Sequence, residues 1–220
     1  ARGRRQARGR AVPRGGFLRA TVIPHMRIAA TTAAVAKPAF AAALALALSA
    51  CSALRPSPEA RYSAWHASHA AEVLEYQSFL QRDGSAGTVP MHALLRTARR
   101  WRRCGNLEFA TPPPDLWPNM PPTLRVVAQL RDAGILDPAL ARSVYRDEAM
   151  NACAGGSAGS KHRENKAIDF DLPPNSDNVA RLCEFWRTQG PALNLGLGFY
   201  TPTAIHLDTA GFRTWGSDHH

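Results

Sequence analysis

Six prolines fall within eleven positions, Pro112, Pro113, Pro114, Pro118, Pro121 and Pro122, in the stretch FATPPPDLWPNMPP. Each one removes a backbone N–H and fixes φ, so no continuous helix or strand can run through residues 109–122. The stretch is expected as an ordered wrap pinned by Phe109 and Trp117, and the chain must be built from separate segments on either side. Upstream, one helix is expected over about 59–82, ending at Asp83-Gly84. A second runs through PMHALLRTARRWRRC, with Pro90 at its start and Leu94, Leu95, Ala98 and Trp101 along one face. A third spans about 123–133 and is closed by Gly134. Beyond it the texture changes to short apolar stretches, ARSVYR, AIDFDL, LGFY, AIHLD and FRTW. One more helix, about 176–189 and stopped by Gly190-Pro191, lies between the second and third of these. Helices followed by short strands give an α+β fold, a small antiparallel sheet flanked by helices.

Charge is unevenly spread. The net charge is +10, yet residues 1–50 hold nine Arg/Lys and no acid, leaving 18 basic against 17 acidic residues from Cys51 onward. The body is therefore nearly neutral, which argues against a nucleic-acid partner. The basic end has a plainer reading. Met26-Arg27 begins a positive stretch that leads into the apolar FAAALALALSACS, ending in a Leu-Ser-Ala-Cys box at Cys51. That apolar run is too short to span a bilayer, which takes about 20 residues. It resembles a bacterial lipoprotein signal, in which the chain is cut before the cysteine and the thiol is acylated. Residues 1–25 are expected to be an upstream extension before a true start at Met26, 26–50 the signal and 51–58 a tether. Residues 59–220 then form one domain, with a helical part over 59–134 and a second, strand-rich part over 135–216. The expected location is the cell envelope, lipid-anchored through Cys51 and facing the periplasm. The outer membrane is favoured because Ser52, not Asp, follows the cysteine. A monomer is expected.

Export alters how the other cysteines are read. In an oxidising compartment Cys104, Cys153 and Cys183 imply one disulfide and one free thiol. Cys183 lies on the stripe Val179, Leu182, Cys183, Trp186, which faces a core, so Cys104–Cys153 is the better pair.

The stretch SKHRENKAIDFD places Asp169 seven residues after His162, and AIHLDT supplies His206 and Asp208. Two histidines and a carboxylate are the ligand set of a catalytic zinc with a fourth position open. Strand alternation puts Asp169 opposite in direction to Ile168 and Phe170, and puts His206 and Asp208 on one face. Taken alone, the H-x6-D spacing is a weak signal, more often a surface histidine and a capping aspartate. His66 and His69 stand three apart on a helix without the zincin pattern and read as solvated residues.

The whole ordered set, SVYR, NACAGGSAGSKHRENKAIDFD, GLGFY and AIHLDTAGFRTWG, resembles the zinc D-alanyl-D-alanine peptidases of bacterial cell walls. That group holds carboxypeptidases, dipeptidases, phage endolysins and peptidoglycan endopeptidases, with a hedgehog-like fold. Ser160, His162 and Asp169 match its S-x-H-x6-D element, and His206, Asp208, Arg213 and Trp215 match its closing element with Ala210 as one extra residue. The resemblance implies Zn2+ held by His162, Asp169 and His206, and a substrate site that includes Arg146, Ser160 and Tyr200. It further implies that Arg146 holds a substrate carboxylate or the developing oxyanion. Asn165 replaces a usual glycine but also tolerates positive φ. Thr203 stands where several members carry an acidic base, which leaves Asp208 as the expected proton acceptor, with orientation of His206 as its alternative role. Glu148 and Glu164 are the next acids to consider. The activity implied is hydrolysis of peptide bonds involving D-amino acids in peptidoglycan, as a D,D-carboxypeptidase or crosslink endopeptidase. The alternative is a zinc-holding, wall-binding pseudoenzyme of the same fold.

Overall fold

Helix α1 (Pro58–His66) opens the part of the chain described by the computed structural model, which covers residues 55–173 and 176–216. Cys51 and the expected signal lie outside the described residues. Ser57 caps α1, its Oγ accepting from the Ala60 amide at 3.2 Å, so the expected tether gives way to helix at Pro58. The single helix expected over 59–82 is two, because α2 (Ala70–Asp83) starts afresh after a break at 67–69. The break has a local cause. Ser68 Oγ and the His69 ring both bond the Trp65 carbonyl, and the His69 ring stacks on Trp65 at 4.2 Å. Side chains thus take over an acceptor that the helix ladder would use.

The second expected helix is also shorter. It comprises only α3 (Met91–Leu94), followed by a 3-10 turn at Trp101–Arg103. Between them the backbone is claimed by partners distant in sequence. The Thr97 amide donates to the Glu108 carbonyl at 2.9 Å and the Arg96 carbonyl accepts from Val144 at 2.7 Å. The proline stretch is more regular than expected, holding a 3-10 helix over Pro114–Asn119 that Trp117 pins by donating to the Pro112 carbonyl at 2.7 Å. Helix α4 (Met120–Asp132) begins three residues before the expected start, since Pro121 and Pro122 occupy its first turn, where no N–H is needed. A short helix α5 (Glu148–Cys153), absent from the sequence reading, is capped by Asp147, which accepts from Met150 N at 2.7 Å. Helix α6 (Ser176–Leu193) runs through Gly190-Pro191 and stops where Asn194 takes φ of 50°.

Five strands, β1 (Ala141–Ser143), β2 (Ala167–Asp171), β3 (Gly196–Phe199), β4 (Ala204–Asp208) and β5 (Arg213–Gly216), form one sheet in the order β1-β2-β4-β3-β5. All pairings are antiparallel except β3 with β5. Alternation divides the sheet into two faces. Ile168, Phe170, Leu197, Phe199, Ile205 and Leu207 enter one buried cluster with Tyr76 and Leu80 of α2 and Leu124 and Leu130 of α4. The opposite face carries Asp169, His206 and Asp208. Register aligns them into two cross-strand rows, Asp169–His206–Gly198–Trp215 and Ala167–Asp208–Gly196–Arg213.

Candidate metal centre

The first of these rows supplies two of the donors and a loop supplies the third. His162 precedes β2 in a series of turns whose backbone folds back at Asn165, with φ of 53°. That loop is fastened to the helical part. Asn119 donates to the Glu164 carbonyl at 2.9 Å, Thr123 Oγ1 to the Lys166 carbonyl at 2.7 Å, and Asn165 Nδ2 to the Leu116 carbonyl at 3.2 Å. The expected donors meet. His162 Nε2 lies 3.0 Å from Asp169 Oδ1 and 3.2 Å from His206 Nδ1, and the latter is 3.0 Å from the same Asp169 oxygen. All three residues are at most 5% exposed.

The outer edges of the two rings decide what the inner edges are. His162 Nδ1 donates to the Val144 carbonyl at 2.6 Å, and a carbonyl can only accept. Burial lowers the His162 pKa, against the pull of Asp169, so the ring is neutral and its Nε2 carries a lone pair. His206 Nε2 donates to Asp208 Oδ2 at 2.9 Å, which leaves Nδ1 of a neutral ring as a second lone pair. Two nitrogen lone pairs and a carboxylate oxygen thus converge with nothing between them to share. Such a triangle calls for one positive charge within it, supplied by a proton on His206 Nδ1 or by a metal ion that displaces that proton. Burial disfavours a charged His206, but the bonds to Asp169 and Asp208 outweigh it and raise its pKa, which is the same demand for positive charge. Ligands placed tetrahedrally about 2.0–2.2 Å from zinc lie about 3.3–3.6 Å apart, within a few tenths of an ångström of the triangle's sides. The donor set fits a zinc ion.

The second row holds the first in place. Asp208 is fully buried, and its oxygens accept from Ala210 N at 2.9 Å and from Arg213 at 2.9 and 2.5 Å, besides His206. Burial alone would raise its pKa, but the bonds from His206, Arg213 and Ala210 bring it down to about 2. Asp208 therefore stands on the far edge of the His206 ring with its acceptors engaged. That placement suits the orienting role given above as its alternative. The glycines of β3 make room for this. A Cβ at Gly196 would stand 2.5 Å from Arg213 Nη1, and one at Gly198 would stand 2.2 Å from the Trp215 ring.

Arg146 is likewise drawn inward. Buried at 6% exposure, it donates from Nε to Ser143 Oγ at 3.0 Å and from Nη2 to Asp169 Oδ2 at 3.2 Å, while its guanidinium lines the cleft above. Tyr200 donates to Asp169 Oδ1 at 3.2 Å, and burial, then the Asp169 charge, keep its phenol protonated. Its ring meets Trp215 edge-on at 5.1 Å, so an aromatic wall flanks His206. Ser160 also lines the cleft, which has a volume of about 1020 Å³. Thr203 is exposed on the turn before β4. Glu148 and Glu164 line a neighbouring cavity of about 370 Å³, paired with Arg163 and with Lys161 and Lys166. Among the described residues, Asp169 is the one acid lining the cleft.

Cys104 and Cys153 form a disulfide, and Cys183 is a buried free thiol. His66 and His69 are half-buried in an aromatic cluster with Tyr62 and Trp65. Arg213 and Trp215 were visible in sequence only as motif matches. Their i, i+2 spacing on one strand face was the available signal, but its use depended on the parallel β3–β5 pairing.

A family model described as Peptidase M15 matches residues 94–208, over half of the chain, and takes in all three donors. No curated protein and no solved structure matches it.

Proposed function

The chain belongs to the peptidase M15 family of zinc peptidases, and from that premise we propose that it hydrolyses peptide bonds involving D-amino acids in peptidoglycan, as a D,D-carboxypeptidase or crosslink endopeptidase. The observation that carries this reading is the convergence of two histidine lone pairs and one carboxylate at the floor of a large cleft. His162, Asp169 and His206 would hold zinc. Zinc in such a site supplies Lewis acidity, lowering the pKa of water and polarising a carbonyl. The chain's own groups do the rest. The Val144 carbonyl and Asp208 fix both rings, so the donors are preorganised. Arg146, buried beside Asp169, presents a fixed planar cation to a substrate oxyanion or carboxylate. Tyr200, held protonated, is a hydrogen-bond donor at the cleft edge, and with Trp215 it forms an apolar wall for a small side chain. A lipid anchor at Cys51 would set this cleft beside the wall polymer at the outer membrane. Cys51→Ser should then abolish partitioning of the chain into detergent, and unchanged partitioning would refute the anchor.

One observation favours a second reading. No carboxylate other than Asp169 lines the cleft among the described residues, as suits a zinc-holding protein that binds wall peptides without cutting them. Incubating the zinc-loaded full chain with purified muropeptides separates the two. Release of D-alanine or of uncrosslinked peptides supports the peptidase. Tight binding without product supports the binding protein.

A further inference from the structure

Five cationic side chains line the cleft: Arg99, Arg100, Arg146, Lys161 and Arg213. Four of them have acidic partners. Arg99 pairs with Asp171, Arg146 with Asp169, Lys161 with Glu164 and Arg213 with Asp208. Arg100 is exposed and has no acidic partner among the described residues. No acid of the cleft is free to become one, because Asp169, the one carboxylate there, is already held by two histidines, Tyr200 and Arg146.

The wall that carries Arg100 is fixed. Its backbone enters the 3-10 turn at Trp101–Arg103, where the Arg100 carbonyl accepts from Arg103 N at 2.8 Å. Trp101 is buried, and Cys104 is bonded to Cys153, directly before the Ala154–Ser157 segment that lines the cleft as well. Both segments are thus tied at one point, so Arg100 is presented from an ordered base and only its side chain adapts. An unneutralised guanidinium in a concave site attracts an anion from the ligand, and its planar fork suits a carboxylate.

We propose that Arg100 forms a subsite for a free carboxylate of the bound peptide, separate from the bond that is cut; this rests on the peptide-binding reading given above. The cleft would then favour acidic peptides over the same peptides amidated at that carboxylate.

The test uses the zinc-loaded full chain and a synthetic peptide ending in D-Ala-D-Ala with an internal free carboxylate. A second peptide carries an amide in place of that carboxylate. Binding is read by calorimetry on versions whose D-Ala–D-Ala bond is replaced by a non-hydrolysable methylene-amine. The acid form should bind about fivefold more tightly, the scale of an exposed charge pair, and the difference should shrink at about 0.5 M salt. Arg100→Gln should abolish the difference. Arg102→Gln, which removes an equal charge from the same turn outside the cleft lining, should retain it. Equal affinity of the two forms for the wild-type chain, a difference that survives Arg100→Gln, or no binding of either form would each overturn the subsite. Turnover of the hydrolysable pair separates this proposal from the peptidase reading. An acid preference in binding without cleavage refutes the peptidase and leaves the subsite standing. Cleavage of both forms with equal kcat/KM refutes the subsite and leaves the peptidase standing.

Discussion

Asp208 and Arg213 meet through two parallel contacts, and Asp208 in turn fixes His206 by its outer nitrogen. We propose that Asp208 acts on the metal through His206 and not on the water. Asp208→Asn keeps the size and one acceptor but weakens both attachments. Zinc affinity should fall by about 10–100-fold, with activity recovered in excess metal. A proton acceptor would behave differently, keeping full zinc while kcat fell by about 10²–10⁴-fold. Zinc titration followed by kinetics at saturating metal distinguishes them. At this scale the sequence was informative about faces and silent about edges. Alternation along AIHLD put His206 and Asp208 on one side of β4. Which ring nitrogen turns to the donors depends on Arg213, five residues on, reaching Asp208 past a glycine of β3. The same limit hid Arg100, whose significance lies in which neighbours lack a free acid.

The 160–166 loop shows how whole elements place a single donor. Helix α4 and the turn before it bind the loop's carbonyls, so the helical part of the chain aims His162. Asn165 is the joint, fully buried, at positive φ and bonded to the Leu116 carbonyl. Asn165→Gly keeps the backbone shape and loses the side-chain bond, which should cost about 1 kcal/mol. Asn165→Ala adds strain at positive φ and should cost about 2–4 kcal/mol, with a parallel loss of zinc affinity. Urea unfolding of both variants gives the order. Equal losses would mean that φ at this position carries no strain. Downstream of the prolines the stop at Gly134 was legible for α4, whereas α6 ran past Gly190-Pro191 and α5 gave no signal, and upstream the single expected helix was two. Residues 95–104 have helical pattern, but Leu95, Arg96 and Thr97 give backbone bonds to Ala110, Val144 and Glu108. Periodicity within one segment cannot register such distant competition.

Across the whole molecule, the sheet brings Ala167 and Asp208, 41 positions apart, into one row, and the Cys104–Cys153 bond joins segments 49 residues apart. Bonds of this kind persist outside the reducing cytosol, which supports the exported location proposed above. Removing it as Cys104→Ala with Cys153→Ala should lower stability by about 3–4 kcal/mol, from the lost restraint on a loop of this length. Denaturant unfolding with and without reductant checks this. Reductant should destabilise the wild-type chain by the same amount and leave the double variant unchanged. Zinc should stay bound in both, since the donors are held by the sheet and α4 instead.

The central claim is that three buried donors are arranged for one cation. Zinc K-edge X-ray absorption of the full chain, dialysed against trace zinc, tests it most directly. The spectrum should report one zinc per chain with two imidazole nitrogens and carboxylate or water oxygen at about 2.0–2.2 Å, and no sulfur at about 2.3 Å. Loss of the signal in His162→Ala and in His206→Ala should accompany it. A chain that retains no zinc, or one whose zinc is bound by sulfur or survives both substitutions, would contradict the account.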